Sequence, residues 1–343
     1  MKTADWAPPS DWRRIRTIDA HTAGEPFRVI TNGFPEIPGD TMLSRRRYAK
    51  EHLDHLRTVL MWEPRGHADM YGCIVTPPVS PETDIGVLFI HNEGYSTMCG
   101  HGIIGIATVV LETGMLPMEL PETTIRIDTP AGLVTAHARI ENGHVTNVYF
   151  HNVASFVVSL DDEVEVPGFG RIRYDLAFGG AFYAYVRAAD LGLTCGAEDF
   201  RALIQSGMAI KEAVTSHRAI RHPVEKDLGF LYGTIFTEDA PKTGSHSRNV
   251  CIFANGEVDR SPTGTGVSGR LAILHDRDEI KVGQQIIIES IIGSTFKGRV
   301  VAKTDFAGRG AVIPEVEGVA YITGCHEFLL DPRDQLQNGF LLR

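Results

Sequence analysis

Two glycine-rich stretches constrain this chain more than any other feature: Met98-Cys99-Gly100-His101-Gly102-Ile103-Ile104-Gly105 and Ser261-Pro262-Thr263-Gly264-Thr265-Gly266-Val267-Ser268-Gly269. Each contains Gly-x-Gly-x-x-Gly and reads as the opening of a helix. In each the pattern begins one residue after a small side chain able to carry chemistry, Cys99 in one and Thr263 in the other. A dinucleotide fingerprint has this spacing, but it follows directly on a strand and has an acidic residue ~20 positions on for the ribose. Here both copies follow polar loops and the first has no such acid. The local physics offers another use. Glycines at a helix start let backbone N–H groups approach an anion, and the helix dipole adds positive potential. Two such starts facing each other can hold one carboxylate from two sides, with Cys99 and Thr263 on opposite faces of a small amino or hydroxy acid.

The surrounding chain reads as a duplication. Ile18 to Ile30 is strand, turn, strand around Gly24 and Pro26. Met42 to Leu60 predicts one helix, and Glu63 to Gly72 is a loop by its proline and glycine content. Ile85 to His91 is apolar almost throughout, hence a strand covered on both faces. Beyond Gly102, residues Ile103 to Leu111 leave no polar stripe, which predicts a buried helix ended by Gly114. Thr124 to Asn152 supplies several strands, with turns at Asp128 to Gly132 and at Asn142-Gly143. In the second half Asp175 precedes Gly180 as Asp19 precedes Gly24, and Phe182 to Val186 matches Phe27 to Ile30. A helical insertion from Ala197 to Val214 and a strand from Asn249 to Ala254 lead to the Thr263 loop. Asp19 to Cys99 spans 80 residues and Asp175 to Thr263 spans 88. The Gly132 turn lies 33 residues after Cys99, and the Gly293 turn 30 after Thr263. The expected architecture is α+β, with an N-terminal lobe over residues 1–165 and a C-terminal lobe over 166–343. About the last 15 residues would pack back on the first lobe. The acidic stretch Asp161 to Pro167 reads as the linker.

Charge and cysteine usage narrow the function. At 343 residues with a net charge of −10, the chain lacks the basic face on which non-specific nucleic-acid binding and anionic-membrane binding rest. The five cysteines, Cys73, Cys99, Cys195, Cys251 and Cys325, form no C-x-x-C pair, so a reduced cytoplasmic protein is the simplest reading. Met1 to Trp12 is polar and carries no signal-peptide core, and the longest apolar run falls short of the ~20 residues of a membrane helix. A metal site of Cys99, His101 and His91 matches no usual zinc spacing. Cys99 taken alone is commonly a buried filler, but a helix N-terminus favours a thiolate. His101 can donate to a substrate or cap the helix, and Asp259 can accept from a substrate ammonium or stabilise a turn as an Asx residue.

Taken together, Asp19-Ala20-His21-Thr22-Ala23-Gly24-Glu25-Pro26, Glu63-Pro64-Arg65-Gly66-His67, Met98 to Gly102, Phe178-Gly179-Gly180 and Asp259 to Gly266 resemble the proline racemase family. The pieces span nearly the whole chain in the family's order. The resemblance implies the two-lobed fold of diaminopimelate epimerase, each lobe wrapping a curved sheet around a central helix with the site in the cleft. Proline racemases and hydroxyproline epimerases carry cysteine in both loops; here Thr263 stands where the second belongs. The Cys/Thr combination resembles the family's trans-3-hydroxy-L-proline dehydratases. By that resemblance Cys99 is the base, Thr263 faces it, and Gly100, His101, Asp259, Gly264 and Thr265 contact substrate. No metal, nucleotide or pyridoxal cofactor is implied. The partner is a small imino acid, and a homodimer is compatible with the resemblance. Two other readings stand beside the dehydratase. A racemase or epimerase needs another group on the Thr263 face, and none of Cys73, Cys195, Cys251 or Cys325 lies in a motif that puts it there. A degenerate member would only bind proline-like ligands.

Overall fold

The computed structural model describes residues 6–239 and 242–342; the first five residues of the polar amino-terminal stretch lie outside them. Among the described residues, eighteen strands form one continuous hydrogen-bonded network. The first half runs β1 (Arg13–Thr22), β2 (Glu25–Asn32), α1 (Met42–His52), α2 (Asp54–Met61), β3 (Tyr71–Thr76), β4 (Ile85–His91), β5 (Gly94–Tyr95), α3 (Gly100–Glu112), β6 (Glu122–Thr129), β7 (Gly132–Glu141) and β8 (His144–His151). The second runs β9 (Phe156–Val166), β10 (Gly170–Phe178), β11 (Phe182–Arg187), α4 (Phe200–His217), β12 (Leu231–Asp239), β13 (Ser247–Phe253), β14 (Glu257–Val258), α5 (Gly264–Asp276), β15 (Ile286–Glu289), β16 (Thr295–Phe306), β17 (Arg309–Gly318) and β18 (Ala320–Leu330).

Strand pairing repeats between the halves. One series runs β18-β1-β2-β3-β4-β6-β7-β8, with β2–β3 and β4–β6 parallel. The other runs β9-β10-β11-β12-β13-β15-β16-β17, with β11–β12 and β13–β15 parallel. The pairing β8–β17 joins them. By pairing, β18 returns from the end of the chain to complete the first series beside β1.

Each series curves around its glycine-opened helix. In α3 every residue from Gly100 to Leu111 is buried, and in α5 every residue from Gly264 to Leu274 is buried except Arg270. Their apolar residues share one core. A helix apolar on all sides has no face to give to solvent, so it must be enclosed. α4 packs outside the second sheet, and α1 with α2 outside the first.

Two expectations need correction. Asp161 to Pro167 is not a linker: β9 extends to Val166. Val164 and Val166 face the core while Glu163 and Glu165 face outward, the period-2 pattern of a half-buried strand. The positive φ of Asp161 sits where the β9–β10 register shifts, so the acidic run is a bulged strand. The single helix over Met42 to Leu60 is two helices that part at Leu53, whose φ of −123° and ψ of 7° leave the helical region. α1 buries only Met42 and Ala49, whereas α2 buries six residues from Leu56 to Met61. One straight helix could not keep the first segment open and turn the second so fully inward.

Candidate active site

The α3 and α5 openings meet head to head. A Cβ added at Gly100 would lie 2.4 Å from Gly264 Cα, and one added at Gly264 would lie 2.6 Å from Gly100 Cα. Only glycine permits this backbone contact. The first N–H groups of each helix have no intrahelical carbonyl to meet, so both starts present donors to the same small space.

Cys99 caps α3 with an extended backbone, and its Sγ accepts the Gly102 N–H at 3.2 Å. Thr263 occupies the matching place on α5 in a left-handed conformation, φ +66° and ψ 95°, which is uncommon for a β-branched residue. Its hydroxyl is buried and lies against the Cys251 thiol, where hydrogen bonding works to lower that thiol's pKa. Between the two lobes lies a charged line. His101 Nδ1 is 3.3 Å from Cys99 Sγ and 3.6 Å from Asp259 Oδ2. Burial opposes a charge on His101, but the negative charges at Cys99 and Asp259 outweigh it and hold the imidazole well above its ordinary range. Burial likewise opposes the Asp259 charge, yet His101 and the Ser261 hydrogen bonds keep that carboxyl below its ordinary value. Asp259 Oδ1 also accepts the Ser261 N–H at 2.8 Å, so the acid stabilises its own turn as well as facing His101.

The enclosed space at this point measures about 10 Å³, room for roughly one water. Its wall unites all seven residues expected from the sequence: Cys99, Gly100, His101, Asp259, Thr263, Gly264 and Thr265. Thr265 Oγ1 is held by Tyr183 Oη at 2.7 Å. The wall also contains residues not expected. Tyr71 and Tyr232 meet on the Ser96 hydroxyl, and Phe253 stacks on Tyr232. Aromatic residues within apolar strands read as core, so no local signal set them apart. Cys251 is a correction, since the structure puts it in the wall with Thr263. The tight β13–β14 hairpin brings it there, with Asp259 N–H donating to the Cys251 carbonyl at 3.1 Å. Burial, then the Asp259 charge, push its thiol well up, so it is protonated. His91 pairs with Glu257 at 3.2 Å, and among the described residues no group of three or more His, Cys, Asp or Glu is placed to hold a metal.

Comparison with known proteins agrees with this architecture. A chain from Bacillus thuringiensis named trans-3-hydroxy-L-proline dehydratase is 49% identical over 95% of this chain and 97% of its own. One from Burkholderia multivorans named 3-hydroxyproline 2-epimerase is 45% identical over 96% and 99%. The crystal structure of a hydroxyproline epimerase from Agrobacterium vitis, with bound trans-4-hydroxy-L-proline, superposes with a TM-score of 0.93 at 35% identity over 97% of this chain and 96% of that one. The family model described as proline racemase matches residues 17–341, and with the paired lobes and the Cys99–Thr263 cleft already in view, this chain belongs to the proline racemase family.

Proposed function

We propose that this enzyme is a cofactor-independent hydro-lyase that removes water from trans-3-hydroxy-L-proline to give pyrroline-2-carboxylate. One observation carries the reading: the two facing helix starts present one thiol and one threonine hydroxyl. A hydroxyl is too weakly acidic to act unaided as acid or base, so the α-carbon meets one base, Cys99, and not two.

The substrate carboxylate sits on the N–H groups after Cys99 and Thr263, and Asp259 with His101 hold the ring nitrogen. Donors fixed in advance stabilise the charge that moves onto the carboxylate as the α-proton leaves. Cys99 takes that proton. The electron pair of the Cα–H bond becomes the ring double bond while the C3–O bond breaks. In the trans-3-hydroxy-L isomer the α-hydrogen and hydroxyl share a ring face, opposite the carboxylate. Cys99 is then on the side where the departing hydroxyl needs a proton, and it returns to thiolate as water leaves. The enamine tautomerises to the pyrroline carboxylate. The closed cleft has no room for a proline ring, so the lobes part for substrate and close to exclude water. All five cysteines are free, which suits a reducing compartment such as the cytoplasm.

Epimerisation at Cα is the second reading, favoured by the name of the Burkholderia relative. It needs a proton donor on the Thr263 face, and Cys251 is the group that would have to supply it. Incubation in heavy water with trans-3-hydroxy-L-proline, and separately with L-proline and trans-4-hydroxy-L-proline, separates the readings by NMR. A pyrroline carboxylate from the 3-hydroxy compound, with no inverted isomer from any, is expected. Inversion of any of them would put a working acid on the second face. A ligand that binds with neither product nor α-deuteration would mean a binding protein.

A further inference from the structure

Glu25 is fully buried at the start of β2, outside the chemistry above, yet it reaches across the cleft. Its Oε2 accepts the backbone N–H of Arg260 at 2.6 Å, and Arg260 lies between Asp259 and Ser261. The Arg260 guanidinium is engaged elsewhere, with Asp69 at 2.7 Å and the Val258 carbonyl at 2.8 Å. Glu25 Oε1 is buried with no hydrogen-bond partner among the described residues. The charged groups facing Glu25 are Asp259, His101 and Arg260, and the Cys251 thiol is near enough to sense it. An ionised carboxylate here would sit out of water beside the Asp259 charge with one backbone N–H for support; His101 and Arg260 offset part of that cost, but burial and the Asp259 charge outweigh them. A carboxylic acid keeps Oε2 as acceptor of the Arg260 N–H and carries no charge to bury.

We propose that Glu25 is a positioning residue: as an uncharged carboxylic acid it ties the Asp259 loop of one lobe to the other and so sets where Asp259 meets His101. Burial first, then the Asp259 charge, hold its carboxyl well above the ordinary carboxylate range, in keeping with that form. The inference rests on the reading in which Cys99 takes the α-proton while His101 and Asp259 hold the ring nitrogen.

Two measurements test it. Urea denaturation of the wild type and of Glu25→Gln is followed from about pH 6 to about pH 9. The folded wild type keeps a proton that its unfolded chain releases, so its folding constant falls with rising pH relative to the glutamine variant, by up to tenfold per pH unit. A ratio constant across that range would overturn the uncharged form. In turnover, Glu25→Gln keeps kcat within about threefold, while Glu25→Ala loses roughly tenfold or more in kcat with a smaller change in KM. Equal losses in the two variants, or none in Glu25→Ala, would overturn the positioning role. A wild type that leaves trans-3-hydroxy-L-proline untouched refutes the proposed reaction instead, and the denaturation comparison still reads the state of Glu25.

Discussion

Replacing Gly100 by alanine asks whether the two helix starts must touch for the enzyme to work. The added Cβ would lie 2.4 Å from Gly264 Cα, 2.8 Å from its carbonyl carbon and 3.0 Å from the Thr265 nitrogen. Non-bonded carbons rest at about 3.5 Å, so the lobes must stand off by about 1 Å at this point. All three atoms are backbone and cannot swing aside. Gly100 is not in the left-handed region, so alanine suits its helical backbone, and neither lobe's core is entered. The stability cost should therefore stay near the low end of the 1–3 kcal/mol of overpacking. Catalysis should suffer more, because displacing reacting groups by about 1 Å costs on the order of 10²-fold. Steady-state turnover of trans-3-hydroxy-L-proline, followed by NMR beside a urea melt, is the assay. The expectation is a kcat/KM roughly 100-fold down with a small shift in the melt. Gly310→Ala, where an added Cβ meets nothing within 4 Å, is the control. Activity of Gly100→Ala within about threefold of wild type would show that the closed contact is dispensable and that the preorganised cleft is not what drives the reaction.

Other outcomes follow from the same geometry. Cys99→Ser should abolish turnover and α-deuteration while leaving substrate binding by calorimetry largely intact; near-full activity would remove Cys99 as the base. Asp259→Asn leaves His101 buried at 4% side-chain exposure without its carboxylate, a loss of roughly 3 kcal/mol by analogy with other broken buried pairs. The raised His101 value means its stabilising charge is present below the ordinary imidazole range and lost as pH rises through the folded value. The variant should thus lose stability at lower pH than wild type on the alkaline side, and an unmoved alkaline limb would refute the pairing. Thr263→Gly removes a left-handed φ from a buried β-branched residue. It should raise the urea midpoint by an amount equivalent to about 1 kcal/mol, and a lower midpoint would mean that the conformation carries no strain.

The glycine spacing predicted two helix openings and the apolar run from Ile103 to Leu111 predicted that the first of those helices is buried, because these features act within a few residues of themselves, while the paired distances along the two halves suggested the duplicated α+β fold. The family motifs likewise marked Cys99, His101, Asp259 and Thr263, since a helix start and its loop are contiguous in the chain. What lies between β-strands was decided only on folding. The acidic stretch ending at Val166 becomes strand because β10 is there to pair with it. Cys251, Tyr71 and Tyr232 line the cleft because strands distant in sequence converge beneath the two helix starts. Glu25 reaches Arg260 across 235 residues of chain. Its protonation state depends on that burial and on a neighbouring charge, and neither is written in the residues around it. Local periodicity is a property of the chain, whereas the charge a buried group can keep is a property of everything packed against it.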